Sequence, residues 1–200
     1  MIDDTYLTIK ENAEGLYKEK GSKFISLAFP VHNEEEVKQH LEDVKKQYYD
    51  ARHHCYAYML GKDGEVYRAN DDGEPNHSAG DPILGQIRSN NLTFVLIIVV
   101  RYFGGTKLGV GGLINAYKTA ASEALSNCTV ISRKVKIMVD IKFDYLSMND
   151  VMSLIKEYEA EIKEQKFDNT CNIKVEIRLS SSQSFIDRLS ALENVSAYSF

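Results

Sequence analysis

The chain of 200 residues has few cysteines and no long apolar run. Cys55, Cys128 and Cys171 are odd in number and far apart. That speaks against a disulfide framework and fits free thiols in a reducing compartment, so a cytoplasmic location is expected. The apolar run Val95 to Val100 falls far short of the ~18 residues of a membrane helix. Met1-Ile2-Asp3-Asp4 has no basic n-region, so neither a signal peptide nor membrane association is expected. There is no low-complexity tract and no internal repeat.

The composition, 44% apolar and 26% charged, is that of an ordinary globular protein with one large domain or two small ones. A net charge of −5 opposes indiscriminate nucleic-acid binding, and no DNA specificity is expected. The charge is uneven, however. Residues 1–50 hold 7 basic and 11 acidic side chains, whereas residues 101–118 hold Arg101, Lys107 and Lys118 and no acid.

Periodicity divides the chain near Ser132-Arg133-Lys134, giving expected domains over 1–132 and 133–200. In the first, residues 5–10 alternate as a strand, and 15–31 read as a hairpin turning at Lys20-Gly21-Ser22. Asn33 caps a helix whose buried stripe is Val37, Leu41, Val44 and Tyr48, with Glu34, Glu35 and Glu36 in its first turn. Strands 55–60 and 65–69 flank the turn Gly61-Lys62-Asp63-Gly64. A helix through Ile83, Leu84 and Ile87 follows. The strand Leu92 to Val100, apolar on both faces, must be central. A helix over 111–127 buries Leu113, Tyr117, Ala120, Ala121 and Leu125. In the second domain, residues 134–144 form a strand. Ser147 caps a helix with Val151, Met152, Ile155 and Tyr158 inward. A hairpin turns at Asp168-Asn169-Thr170, and helix 182–192 and strand 195–200 complete β-α-β-β-α-β, the ferredoxin-like order.

Chemistry concentrates between Arg68 and Tyr117. Five of twelve glycines lie between Gly104 and Gly112. Such clustering fits a loop needing unusual backbone angles or close approach rather than a core. Gly104, Gly105, Gly109, Gly111 and Gly112, with Arg101, Lys107 and Lys118, form a candidate anion-binding surface at a helix start. Neither nucleotide signature is present: GK[ST] is missing, and position 114 breaks GxGxxG. Tyr102 and Phe103 add aromatic surface suited to stacked RNA bases, or else pack inward, the placement expected for Phe103. Asp71, Asp72 and Glu74 either brace the Gly-rich loop opposite through backbone amides, bind a cation or do acid–base work, or simply form a turn. His53-His54-Cys55 lacks the second ligand pair of a zinc site, so a core-edge position is expected. His77 could serve Ser78 as a base, but no orienting acid is assignable. No catalytic residue, metal or cofactor is expected.

Asp71-Asp72-Gly73-Glu74-Pro75, Ser78-Ala79-Gly80, Pro82-Ile83-Leu84, Arg101-Tyr102-Phe103-Gly104-Gly105, Lys107-Leu108-Gly109, Gly112-Leu113 and Ala116-Tyr117 together resemble the YigZ/IMPACT family. The resemblance is strong over about residues 15–130. It implies an α+β fold: an N-terminal domain similar to domain IV of elongation factor G and a ferredoxin-like C-terminal domain. It further implies a translation-linked role, with RNA or the ribosome as partner. The Gly-rich surface, Asp71, Asp72, Glu74, His77 and Ser78 would supply the binding residues. The alternatives are a small-anion or nucleotide enzyme using the three carboxylates, and a protein-interaction module. Eukaryotic members carry an additional N-terminal partner-binding domain, and the role it serves is not expected of this chain. Two departures stand out: Asn76-His77 where small residues such as Ser-Gly are usual, and Asn115 where Arg is common.

Overall fold

A computed structural model describes residues 4–168 and 170–200. The turn expected at Asp168-Asn169-Thr170 and the start Met1-Ile2-Asp3 lie partly or wholly outside the described residues. The fold is α+β, with antiparallel pairing throughout its two larger sheets. The chain forms two compact units. One spans Tyr6–Arg133; the other comprises Lys134–Phe200 with residues 4 and 5.

The first unit is built on a five-stranded sheet in the order β2-β3-β6-β4-β5. Its strands are β2 (Ala13–Glu19), β3 (Ser22–Pro30), β4 (His53–Leu60), β5 (Val66–Asn70) and β6 (Val95–Tyr102). Lys20 and Gly21 both have positive φ, which makes the two-residue turn between β2 and β3. β6 is central, as its sequence requires. Val95, Ile97 and Val99 pack under α2 (Gly80–Ser89) and α3 (Gly109–Ser126). Leu96, Ile98 and Val100 pack on the opposite side with α1 (Glu34–Gln47). Helices on both faces explain why no position from 95 to 100 is polar.

β6 begins and ends later than its hydrophobicity implies. Asn91 and Phe94 have φ of 53° and 56°, which break the strand before Val95. Leu92 instead makes an isolated bridge to Leu7 in β1 (Thr5–Ile9). At the other end Arg101 and Tyr102 remain in the sheet, Arg101 pairing with Phe24 and His53. α3 starts two residues before the expected Gly111. A strand unforeseen in the sequence, β7 (Val130–Lys134), pairs with β1.

In the second unit, β8 (Lys136–Phe143), α4 (Met148–Glu157), β9 (Glu161–Phe167), β10 (Cys171–Arg178), α5 (Leu179–Ser190) and β11 (Ser196–Ser199) follow in the order β-α-β-β-α-β. The sheet runs β11-β8-β10-β9. Val139, Ile141, Ile173 and Val175 meet Val151, Ile155, Phe185 and Leu189 in one core. Three expectations are corrected here. Asp144, not Ser147, caps the 3-10 turn Tyr145–Ser147 that leads into α4; its carboxylate accepts from the Ser147 amide and hydroxyl. Met152 is 38% exposed, and Leu154 takes the inward place. α5 starts at Leu179 rather than Ser182, because its first amides have a cap from far along the chain. The Asp4 carboxylate accepts from the Ser180 amide at 3.0 Å.

Candidate functional site

Alternation along β6 puts Arg101 on the face of Val99 and Ile97, beneath α3. It is therefore not the free cation its sequence context implies. Its side chain is 8% exposed and donates from Nη1 to Glu74 Oε1 at 2.6 Å. Glu74, 4% exposed, also accepts from the Tyr117 hydroxyl at 2.8 Å. The Cys55 thiol lies 3.3 Å from that hydroxyl and donates to the Asp71 carbonyl at 3.0 Å. Burial pushes the Cys55 thiol and the Tyr117 phenol well above their usual ranges, so neither is a nucleophile at neutral pH. A buried charge is tolerable only when paired, and Glu74 and Arg101 meet that condition for each other.

The other two carboxylates also have structural duties. Asp71 accepts from the amides of His77, Ala79 and Gly80 at 2.8 to 2.9 Å, and so caps α2. Burial would raise its pKa, but those amides hold it below the usual value. Asp72 accepts from the His54 amide at 2.7 Å, and its carbonyl meets His53 Nδ1 at 2.9 Å. His54 Nε2 lies 3.1 Å from the Tyr48 carbonyl. Of the readings open for these acids, bracing describes the geometry, but Asp71 and Asp72 brace their own loop, α2 and β4, and Glu74 ties Arg101 to Tyr117, so what is braced is not the Gly-rich loop. Among the described residues no cluster of three His, Cys, Asp or Glu has metal-holding geometry.

His77 and Ser78 do not work as a pair. Ser78 is fully buried and donates to the Pro75 carbonyl at 2.6 Å, so it cannot touch a ligand. The His77 ring turns to Asp81 at 2.7 Å. His77 also has φ of 63°, a left-handed conformation that favours glycine. The unusual residue in this loop therefore sits where a small one is cheaper.

The Gly-rich loop divides into a docked part and an open part. A Cβ on Gly104 would come within 1.9 Å of the Gly21 backbone, and the Gly104 amide donates to Ser22 Oγ at 3.1 Å. Only glycine allows that approach. Gly109, with φ of 71° and open space around it, turns the chain into α3. Lys107 and Lys118 are exposed, as are Gly105 and Gly111, with Gly112 half-buried. The start of α3 has no side-chain cap and no acid in its first turn, so its leading amides and positive dipole end stay available.

Of these residues Lys107 and Gly109 line a cleft of about 690 Å³, and Gly104, Gly105, Gly111, Gly112 and Lys118 lie outside its lining. Arg101, Tyr102 and Phe103 form one wall, and Lys107 to Val110 at the start of α3 form another. Asp50 to His53, leading into β4, together with Glu74, Pro75 and Leu113 complete it. Phe103 is 57% exposed rather than in the core. β6 ends at Tyr102, and the Gly104 contact with Gly21 releases the ring outward. The Arg101 guanidinium lies 5.7 Å from the Phe103 ring centroid. The Tyr102 hydroxyl donates to Asp50 at 2.7 Å, and that carboxylate pushes the phenol up to about 12. Sequence reasoning missed Tyr117 as a partner of Glu74, and Asp50 and Arg52 as cleft residues. Only Tyr117 left a signal, a hydroxyl among the alanines of the buried face of α3.

The Impact N-terminal domain family matches residues 20–125, which span the whole cleft. The chain belongs to the IMPACT family. IMPACT family member YvyE of Bacillus subtilis is 32% identical over 190 residues, covering 95% of this chain and 88% of its own. IMPACT family member YigZ of Escherichia coli is 32% identical over 145 residues, 72% of this chain and 71% of its own. The Protein IMPACT homolog of Dictyostelium discoideum is 35% identical over 128 residues, which is 56% of this chain and 35% of that longer protein. A solved structure described as that of a hypothetical protein aligns with a TM-score of 0.78 at 25% identity, covering 100% of this chain and 98% of the other. The DDGEP and RYFGG residues of this IMPACT protein thus meet at one place, Glu74 with Arg101.

Proposed function

We propose that this IMPACT protein is a cytoplasmic, translation-linked factor that binds RNA through the surface from Tyr102 to Lys118. The observation that carries this reading is the uncapped, acid-free start of α3 opening into a cleft beside Lys107 and the exposed Phe103. Free amides and a cation suit phosphate, and an exposed ring suits an unstacked base. The β11-β8-β10-β9 sheet order supports a ferredoxin-like second domain, and the first would correspond to domain IV of elongation factor G. Asp71, Asp72 and Glu74 act here as scaffold.

With Arg101 committed to Glu74, few cations remain for phosphate, and the net charge is −5. Binding is therefore expected to be modest and to involve few phosphates. A titration of single-stranded RNA across a salt series tests this, comparing wild type with Lys107→Ala/Lys118→Ala. Losing two phosphate contacts should flatten the log–log salt slope by about 1.4. An unchanged slope and affinity would remove these lysines from the site. Arg101 is unsuitable for this test, because its removal strands Glu74 in the interior.

A further inference from the structure

We infer that the cleft at the start of α3 is a pocket for one nucleotide, with its base on Phe103 and its phosphate on Lys107 and the leading amides of α3. This rests on the RNA-binding reading and narrows it to one site and one chemical unit. Two observations carry it. The first is size: about 690 Å³ falls within the ~300–1,000 Å³ of small-ligand sites and is too small for a duplex.

Arg101 lines the cleft but is only 7% exposed; its Nη1 is held by Glu74 and its Nε is closed to solvent, so it gives the wall charge and offers a ligand no bond from Nε. The second is the fixed aromatic rim. The Asp50 bond pins Tyr102, and Phe103 projects beside the guanidinium. An aromatic face next to a cation favours a flat ring, and the α3 amides with Lys107 favour an anion. A nucleotide carries both at once.

The nucleotide has two possible sources, a free mononucleotide or one base splayed from single-stranded RNA. Calorimetric titrations of the full chain with AMP, UMP, adenosine and a short single-stranded RNA separate them. Two variants are compared: Val110→Trp, which fills the cleft from a site 52% exposed, and Lys107→Glu on the exposed loop. Circular dichroism confirms that both fold. The expected result is that AMP or UMP binds, that adenosine binds at least about tenfold more weakly, and that both variants lose binding by a similar factor. If RNA binds wild type and Val110→Trp equally and neither mononucleotide binds, the pocket is wrong while the RNA-binding surface stands. If mononucleotides bind and RNA does not, the pocket stands and the RNA reading fails. Silence with every ligand overturns both, and mononucleotide binding unaffected by either variant overturns the location.

Discussion

At the scale of single residues, Glu74 and Arg101 decide what the first unit can do. Both are nearly inaccessible, and an isolated buried charge costs several kcal/mol even after relaxation. Arg101→Met should therefore destabilise the protein by about 3–5 kcal/mol, because it leaves Glu74 charged, or forces it to protonate, with only Tyr117 for a partner. Arg101→Met/Glu74→Gln should recover most of that loss, since Gln can still accept from Tyr117 and needs no counter-charge. Urea midpoints of wild type, single and double variants measure both effects. A double variant no more stable than the single would show that the pair is not what the interior requires. This pairing was illegible in the sequence. An arginine directly after six apolar residues reads as the point where a strand reaches water. Nothing local reveals that its partner lies 27 residues upstream.

At the scale of elements, the helix starts differ in how far away their caps lie, and legibility follows that distance. α1 was legible because Asn33 accepts from the Glu36 amide three residues on. α2 was legible as an amphipathic stretch, but its cap was not: Asp71 reaches Ala79 and Gly80 across the DDGEP loop. α5 starts three residues before the expected Ser182 because its cap is Asp4. α3 has no side-chain cap, which fits a start whose amides face a ligand. Asp71→Ala removes one acceptor from three amides and should cost about 1–2 kcal/mol, read as a lower urea midpoint at pH 7. The pH dependence has a definite sign. Asp71 is lowered from 3.8 in the folded state, so its stabilisation is complete above that value and is lost as pH falls through and below it. Acid should therefore narrow the gap between wild type and Asp71→Ala. A gap constant down to pH 2 would mean that the carboxylate contributes no charge-dependent bonds.

At the scale of the whole molecule, element order was legible in both halves, β7 excepted, because periodicity switches cleanly between two and 3.6 residues. The hairpin pairs β2-β3, β4-β5 and β9-β10 were legible too, but pairings between distant strands and the long-range ties were not, since they depend on partners far apart in sequence. Asp4 is the clearest case. It is fully buried, it receives Arg178 Nε and Nη2 at 2.7 Å each, and its carbonyl accepts from the Val135 amide at 2.7 Å. The chain's beginning thereby completes the unit formed by its end. The bidentate Arg178 contact holds the Asp4 carboxyl well below its usual value of 3.8, so this tie persists above that pH and weakens as pH falls through and below it. Asp4→Ala should accordingly speed hydrogen exchange of amides in β10 and α5 by about tenfold or more at neutral pH, as expected for loss of charge-assisted bonds. The central β6 amides of the other unit should be unaffected. Lowering the pH of wild type should reproduce the same selective loss, after normalising for intrinsic exchange rates. Uniform acceleration across both units would instead mean that Asp4 acts on global stability rather than on the unit it closes.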